Sequence, residues 1–300
     1  MTVDKAIAAR VIARRKEILE QESERQSGEL DVREAGRYVE RKLRSVRGYL
    51  YAFTKALNGK FPGLGYIETH AGPGITTIRG SGRLLLGTPL LAVTNEPYFT
   101  RLRFIELRKG RAAALAARLE RYALTELDAR VINEDCNAII RNALSEFPST
   151  WPTLILMDPE GLELDWTTIV ESGEHPKSEL MIVFPYGIGI QRVKGMEDKS
   201  AGVTRLYGHD RWKQIVEDLE AGRIPPAIAK MRFLVMFRDQ LREAGFIHTV
   251  VSEEITSDAG VPLYFLIHAS KVPLAAKIGR DISGAKGTQD VLPLGPPDSG

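Results

Sequence analysis

The chain has 300 residues, with 41 Lys+Arg against 39 Asp+Glu, 43% hydrophobic and 27% charged residues. That is enough to build one large core, and the composition excludes a mainly disordered chain. Cys136 is the only cysteine, which excludes a disulfide scaffold or a multi-thiolate metal site. No apolar run approaches the roughly 20 residues of a membrane span. The charged N-terminus reads as no secretory signal, so a cytoplasmic location without membrane contact is expected.

Residues 1–30 read as a charge-rich helix, with Val3, Ile7, Val11, Ile18 and Leu19 near helical spacing. A second helix is expected from Asp31 to Asn58, its stripe formed by Val39, Leu43, Val46, Leu50, Phe53 and Leu57, with Asp31 as cap. Strands and helices then alternate. The apolar runs Leu64–Ile67, Leu102–Ile105, Arg130–Ile132, Thr153–Met157 and Glu179–Phe184 read as strands. Helices are expected at Pro89–Thr94, Gly110–Ala123, Cys136–Glu146 and after Trp166, so the sheet should be parallel and covered on both faces. Residues 190–245 read as a helical insertion, with helices near 209–220 and 226–244. Phe246–Glu254 and Leu263–Ala269 should pair antiparallel. The expected organisation is a helical extension over 1–60, an α/β body over 61–282 and a Gly/Pro-rich disordered tail over 283–300.

Four acids end the first four sheet strands: Glu68, Glu106, Asp135 and Asp158. Ligands of open α/β sheets bind beyond the carboxyl ends of the strands. Glu106 is placed to accept from a ribose diol and Asp135 from an adenine amine. Glu68 would order the Gly72-Pro73-Gly74 turn or meet a cationic ligand group, and the two glycines would let backbone approach the ligand. A dinucleotide would need that turn to open a helix directly. Residues 75–87 read instead as loop, with Thr88 as cap and Pro89 opening the helix. The ligand that fits is S-adenosylmethionine (SAM).

The cofactor set is therefore Glu68, His70, Ala71, Gly72, Gly74, Glu106, Asp135 and Cys136. Asp158 and Pro159 form the catalytic corner, where a carboxylate could orient an acceptor amine. Amino-methylating enzymes of nucleic acids usually carry Asp/Asn-Pro-Pro-aromatic there, whereas this chain has Asp158-Pro159-Glu160-Gly161. Trp166, Tyr186 and His70 are the substitute candidates for stacking on a flipped base, or else core residues. Cys136 also reads as a small buried hydrophobe. The five histidines are too scattered for a local metal motif, and no metal ligand is assigned.

The series Glu68, Ala71-Gly72-Pro73-Gly74, Phe104-Ile105-Glu106, Asp135, Asp158-Pro159-Glu160-Gly161-Leu162, Asp165-Trp166, Phe184-Pro185 and Ala269-Ser270-Lys271 resembles the three-Cys-motif partner protein family. That family looks like a branch of class I SAM-dependent methyltransferases, and the match spans roughly residues 31–282. Its members usually have Asp and an aromatic where this chain has Glu68 and His70, and Phe where it has Glu160. The resemblance implies a Rossmann-like, mostly parallel sheet with its last strand antiparallel. It also implies a partner bearing three cysteines.

Two functions follow as expectations. One is a SAM-dependent methyltransferase acting on an amino group in nucleic acid. The other is a non-catalytic accessory protein that keeps the fold. The net charge of +2 hides an asymmetry, because the excess basic charge lies in the first 60 residues, in runs such as Arg14-Arg15-Lys16. That stripe suits phosphate contacts or a solvated helix face.

Overall fold

The structure is a computed structural model that describes residues 2–25, 28–122, 127–187, 189–192, 197–252 and 254–273. The expected tail over 283–300 lies outside these residues, as does Lys194 in the expected insertion. The element order is α1 (Thr2–Ser23), β1 (Arg33–Ala35), α2 (Val39–Leu57), β2 (Gly65–Glu68), β3 (Ile75–Ile78), β4 (Leu84–Leu86), α3 (Thr88–Val93), β5 (Arg101–Ile105) and α4 (Lys109–Arg121). It continues with β6 (Asp128–Ile132), α5 (Cys136–Ser145), β7 (Thr153–Met157), α6 (Trp166–Glu174) and β8 (Ser178–Phe184). After a short 3-10 turn come α7 (Glu197–Tyr207), α8 (Trp212–Glu220), α9 (Pro226–Glu243), β9 (His248–Val251), β10 (Ile255–Thr256) and β11 (Pro262–Ser270).

The main sheet runs β6-β5-β2-β7-β8-β11, with β9 and β10 both paired to β11. The first five of these strands are mutually parallel, and β11 is antiparallel to both β8 and β9. Every residue of β2, β7 and β8 is buried. Strands covered on both faces need such continuous apolar runs, which is why these three were legible in the sequence. Alternation along each strand sorts the core. Tyr66, Leu154 and Met181 face the layer holding α2, whereas Ile67, Ile155 and Ile182 face the layer holding α9.

Three expectations are corrected near the N-terminus. The helix expected from Asp31 starts at Val39 and is capped at Tyr38 without a side-chain bond, so Asp31 does not cap it. Residues 33–35 are instead strand β1. The stretch 75–87 is not a loop, because β3 and β4 form a hairpin that pairs with β1 as a second, three-stranded sheet. Gly87, not Thr88, is the cap residue of α3.

Candidate functional site

Parallel β2, β5, β6 and β7 deliver their following loops to one edge of the sheet. A cavity of about 290 Å³ lies there, lined by His70 and Gly72 after β2, by Glu106, Leu107 and Arg108 after β5, by Asp135 and Cys136 after β6, and by Glu160 and Glu163 after β7. Arg33, Arg111 and Arg205 complete its basic side. Five of the expected cofactor residues, His70, Gly72, Glu106, Asp135 and Cys136, therefore share one wall. Glu68, Ala71, Gly74, Asp158 and Pro159 stand behind it.

Glu106 is fixed by the backbone. Its Oε2 accepts from the Gly72 N–H at 2.8 Å and its Oε1 from the Arg108 N–H at 2.8 Å. Each oxygen keeps a lone pair for a further donor. Gly72 has φ +66°, and a Cβ there would meet nothing within 4 Å, so the turn is open toward the cavity. Gly74 serves packing: at φ +88° an added Cβ would stand 3.0 Å from Leu115 Cδ1. Ala71 ties the turn to β5, its N–H bonding the Ile105 carbonyl at 2.9 Å. Arg118 Nη1 donates to the Pro73 carbonyl between the two glycines at 2.6 Å. Asp135 caps α5, accepting from the Asn137 N–H at 2.9 Å, and remains exposed. Leu107, 66% exposed, offers an apolar surface beside these acids.

Glu68 does not face the cavity, and its hydroxyl partners come from β2 and α3, not from the Gly72-Pro73-Gly74 turn. It is fully buried, accepts from the Tyr66 hydroxyl at 3.0 Å and from the Thr88 hydroxyl, and burial pushes its carboxyl up to about 8. His70 bonds Thr69 Oγ1 through Nδ1 at 2.8 Å, and its Nε2 lies 3.7 Å from Cys136 Sγ. Burial lowers the His70 pKa and pushes the Cys136 thiol up to about 12. The pair is thus neutral imidazole against thiol, without the thiolate that nucleophilic chemistry requires.

The corner after β7 departs most from expectation. Asp158 is 3% exposed, and its Oδ2 lies 2.5 Å from Lys42 Nζ and 3.5 Å from Arg33 Nη1. It anchors two cations in place of an open carboxylate awaiting an amine. Glu160 gathers Arg111 at 2.7 Å, Arg108 at 3.1 Å and Arg33 at 3.4 Å. Burial alone would raise the Glu160 pKa, but the Arg111 hydrogen bond and the three guanidinium charges hold it below the usual value. Burial and the Arg33 charge lower the Lys42 pKa against the pull of Asp158. Tyr186 is 6% exposed against Phe233 and Phe265 and is not free to stack on a base, and Trp166, half-buried and edge-on to Phe237, does not line the cavity.

Sequence reasoning missed Arg33, Lys42, Arg111 and Arg118. Lys42 and Asp158 are 116 positions apart, and no local spacing marks a pair of that kind. A buried-face position holding Lys within the apolar stripe of α2 was the one available signal.

No protein-family model matches the chain, and no curated protein matches it in sequence. Among solved structures it is similar to protein LPL1258 from Legionella pneumophila, at 14% identity and a TM-score of 0.50, over 81% of this chain and 90% of that one. It is also similar to the O-methyltransferase TomG from Streptomyces achromogenes, solved in complex with SAM, at 13% identity and a TM-score of 0.42, over 75% and 79% of the two chains. The chain spans 42% of the length of EvdMO1, which it matches at 14% identity and a TM-score of 0.40 over 78% of its own length. At such identities the likeness is one of fold. That fold is a Rossmann-like α/β sheet, mostly parallel, with β11 reversed.

Proposed function

We propose that the chain is a SAM-dependent methyltransferase whose acceptor is a nucleic acid. The observation that carries the cofactor is Glu106, held by the Gly72 and Arg108 amides at the end of β5 with its remaining lone pairs toward the cavity. Glu106 would bind the ribose hydroxyls, Asp135 the adenine amine, and Leu107 the face of the base. The open Gly72 turn would admit the amino-acid tail, with His70 and Cys136 closing that wall. Bound SAM supplies an electrophilic methyl group, and the chain's own contribution is positioning.

The acceptor class rests on the guanidinium groups of Arg33, Arg108 and Arg111 at the cavity, which suit phosphate oxygens bidentately. The amino-group reading loses its expected partner, because Asp158 is occupied by Lys42 and Arg33. That same closure favours a second reading, a cofactor-binding accessory protein without turnover. A partner bearing three cysteines rests on the family resemblance alone.

Titration calorimetry with SAM and S-adenosylhomocysteine tests the cofactor. Glu106→Ala should weaken binding about 10- to 100-fold, the worth of one or two charge-assisted hydrogen bonds. Equal affinity in the native chain and the variant would end the assignment. Methyl transfer to total RNA or DNA, lost in Arg108→Ala/Arg111→Ala, supports the enzyme. Binding without transfer to any nucleic acid supports the accessory protein.

A further inference from the structure

A second pocket, of about 150 Å³, opens at the opposite edge of the main sheet from the cofactor cavity. Phe53 and Leu57 of α2, Phe61, Pro152 and Pro176 form its apolar walls, and Glu179 of β8 lines it from the sheet. Glu179 pairs in register with Leu154, the second residue of β7, while Asp158 follows the last. Glu179 and Asp158 are therefore separated by four residue steps along the strand, about 13 Å.

Glu179 is 7% exposed, and its Oε1 has no hydrogen-bond partner among the described residues. Nearby cations do not neutralise it. Lys271 Nζ donates to the carbonyls of Gly173 at 2.5 Å and His175 at 2.9 Å. Lys177 Nζ lies over the Phe61 ring, 5.3 Å from its centre. Burial alone pushes the Glu179 carboxyl up to about 8, so at neutral pH it is chiefly the uncharged acid. A buried polar group without a partner is costly, and its retention in an apolar pocket calls for a ligand that completes it.

We infer that this pocket binds a small neutral molecule: one aromatic or branched-aliphatic body of about ring size, carrying a single O–H or N–H donor that bonds Glu179. The volume sets the size, since an apolar cavity of about 150 Å³ accommodates benzene. The walls set the apolar body and Glu179 sets the donor. The site is independent of the cofactor assignment.

Saturation-transfer NMR on the full chain, with phenol as probe and toluene as its donor-less counterpart, tests this. Phenol should bind more tightly than toluene. Glu179→Leu should lose about tenfold in phenol affinity, one hydrogen bond's worth, while keeping toluene. Glu179→Gln, which still offers an acceptor, should retain phenol and guards against a folding defect in the leucine variant. Equal binding of both probes by the native chain and Glu179→Leu would overturn the inference. So would binding of phenol only to a chain ending at Pro273, because residues 274–300 would then be the occupant.

Discussion

Glu68 and Glu179 are both buried carboxyls pushed up to about 8, yet they act differently on the molecule. Glu68 has the hydroxyls of Tyr66 and Thr88 to satisfy it, so its burial is compensated within the fold and ties β2 to the start of α3. Glu179 has only its desolvation. Between the ordinary glutamate value near 4.5 and about 8, the unfolded chain has released this proton and the folded chain still holds it. The folded state then binds more protons, so stability falls as pH rises through that window, by up to about 1.4 kcal/mol per pH unit for one group. Above about 8 the penalty is complete and constant. Urea unfolding of the native chain at pH 6.5, 7, 7.5 and 8, above the range in which buried histidines such as His268 oppose the trend, should give a declining free energy. Glu179→Gln should remove about half of that decline, Glu68 supplying the rest, and stabilise the chain at pH 8. An unchanged pH slope in the variant would mean that Glu179 is ionised in the folded state. Equally local is the placing of the cavity wall. The sequence puts Glu106 directly after the apolar run of β5, and Asp135 and the glycine turn a few residues after those of β6 and β2.

At the scale of elements, α1 is more than the solvated basic helix that its composition suggested. Arg10 pairs with Glu96, Arg15 donates to Thr94 Oγ1 at 2.8 Å and to the Leu91 carbonyl at 3.1 Å, and Glu22 takes Arg118 through two nitrogens, at 3.0 and 2.9 Å. The side chains of Arg118 and Glu22 are 1% and 2% exposed, and Arg118 also grips the Pro73 carbonyl. Helix α1 is thereby coupled to the glycine turn at the cavity. Glu22→Gln would leave a buried guanidinium without its counter-charge, a loss of about 3 kcal/mol or more. It should lower the unfolding midpoint and weaken SAM binding together. Arg10→Ala, at a pair remote from the glycine turn and with Arg10 65% exposed, should leave SAM binding unchanged. A Glu22→Gln chain of reduced stability but unaltered SAM affinity would confine the pair to a structural role. None of this was legible from sequence, nor was the β1-β3-β4 sheet. Arg33-Glu34-Ala35 has no apolar period, and Ile75-Thr76-Thr77-Ile78 is too short to separate from a loop. Ion pairs between elements dozens of residues apart leave no local trace.

On the scale of the whole molecule, a net charge of +2 conceals where positive charge can meet a partner. Two arginines of α1, Arg10 and Arg15, are engaged within the chain, whereas Arg108 is 60% exposed at the cavity mouth and shares Glu160 with Arg111 and Arg33. On the proposed function, the cavity edge and not the N-terminal helix would be the electrostatic face for nucleic acid. Exchange of Glu160 for phosphate would keep all three guanidiniums paired, so the desolvation cost already met in the free protein is not incurred again on binding. Binding of a single-stranded oligonucleotide should weaken linearly with log salt concentration. Arg108→Ala/Arg111→Ala should make that slope shallower by about 1.4, near 0.7 for each lost phosphate contact on a single strand. Arg10→Ala should leave it unaltered, and Glu160→Gln should tighten binding at every salt concentration by freeing the cluster. Fluorescence anisotropy across a salt series reads all four chains. If Arg10→Ala reduced the slope while the cavity double variant did not, the nucleic-acid face would belong to α1 and the acceptor assignment would fall with it.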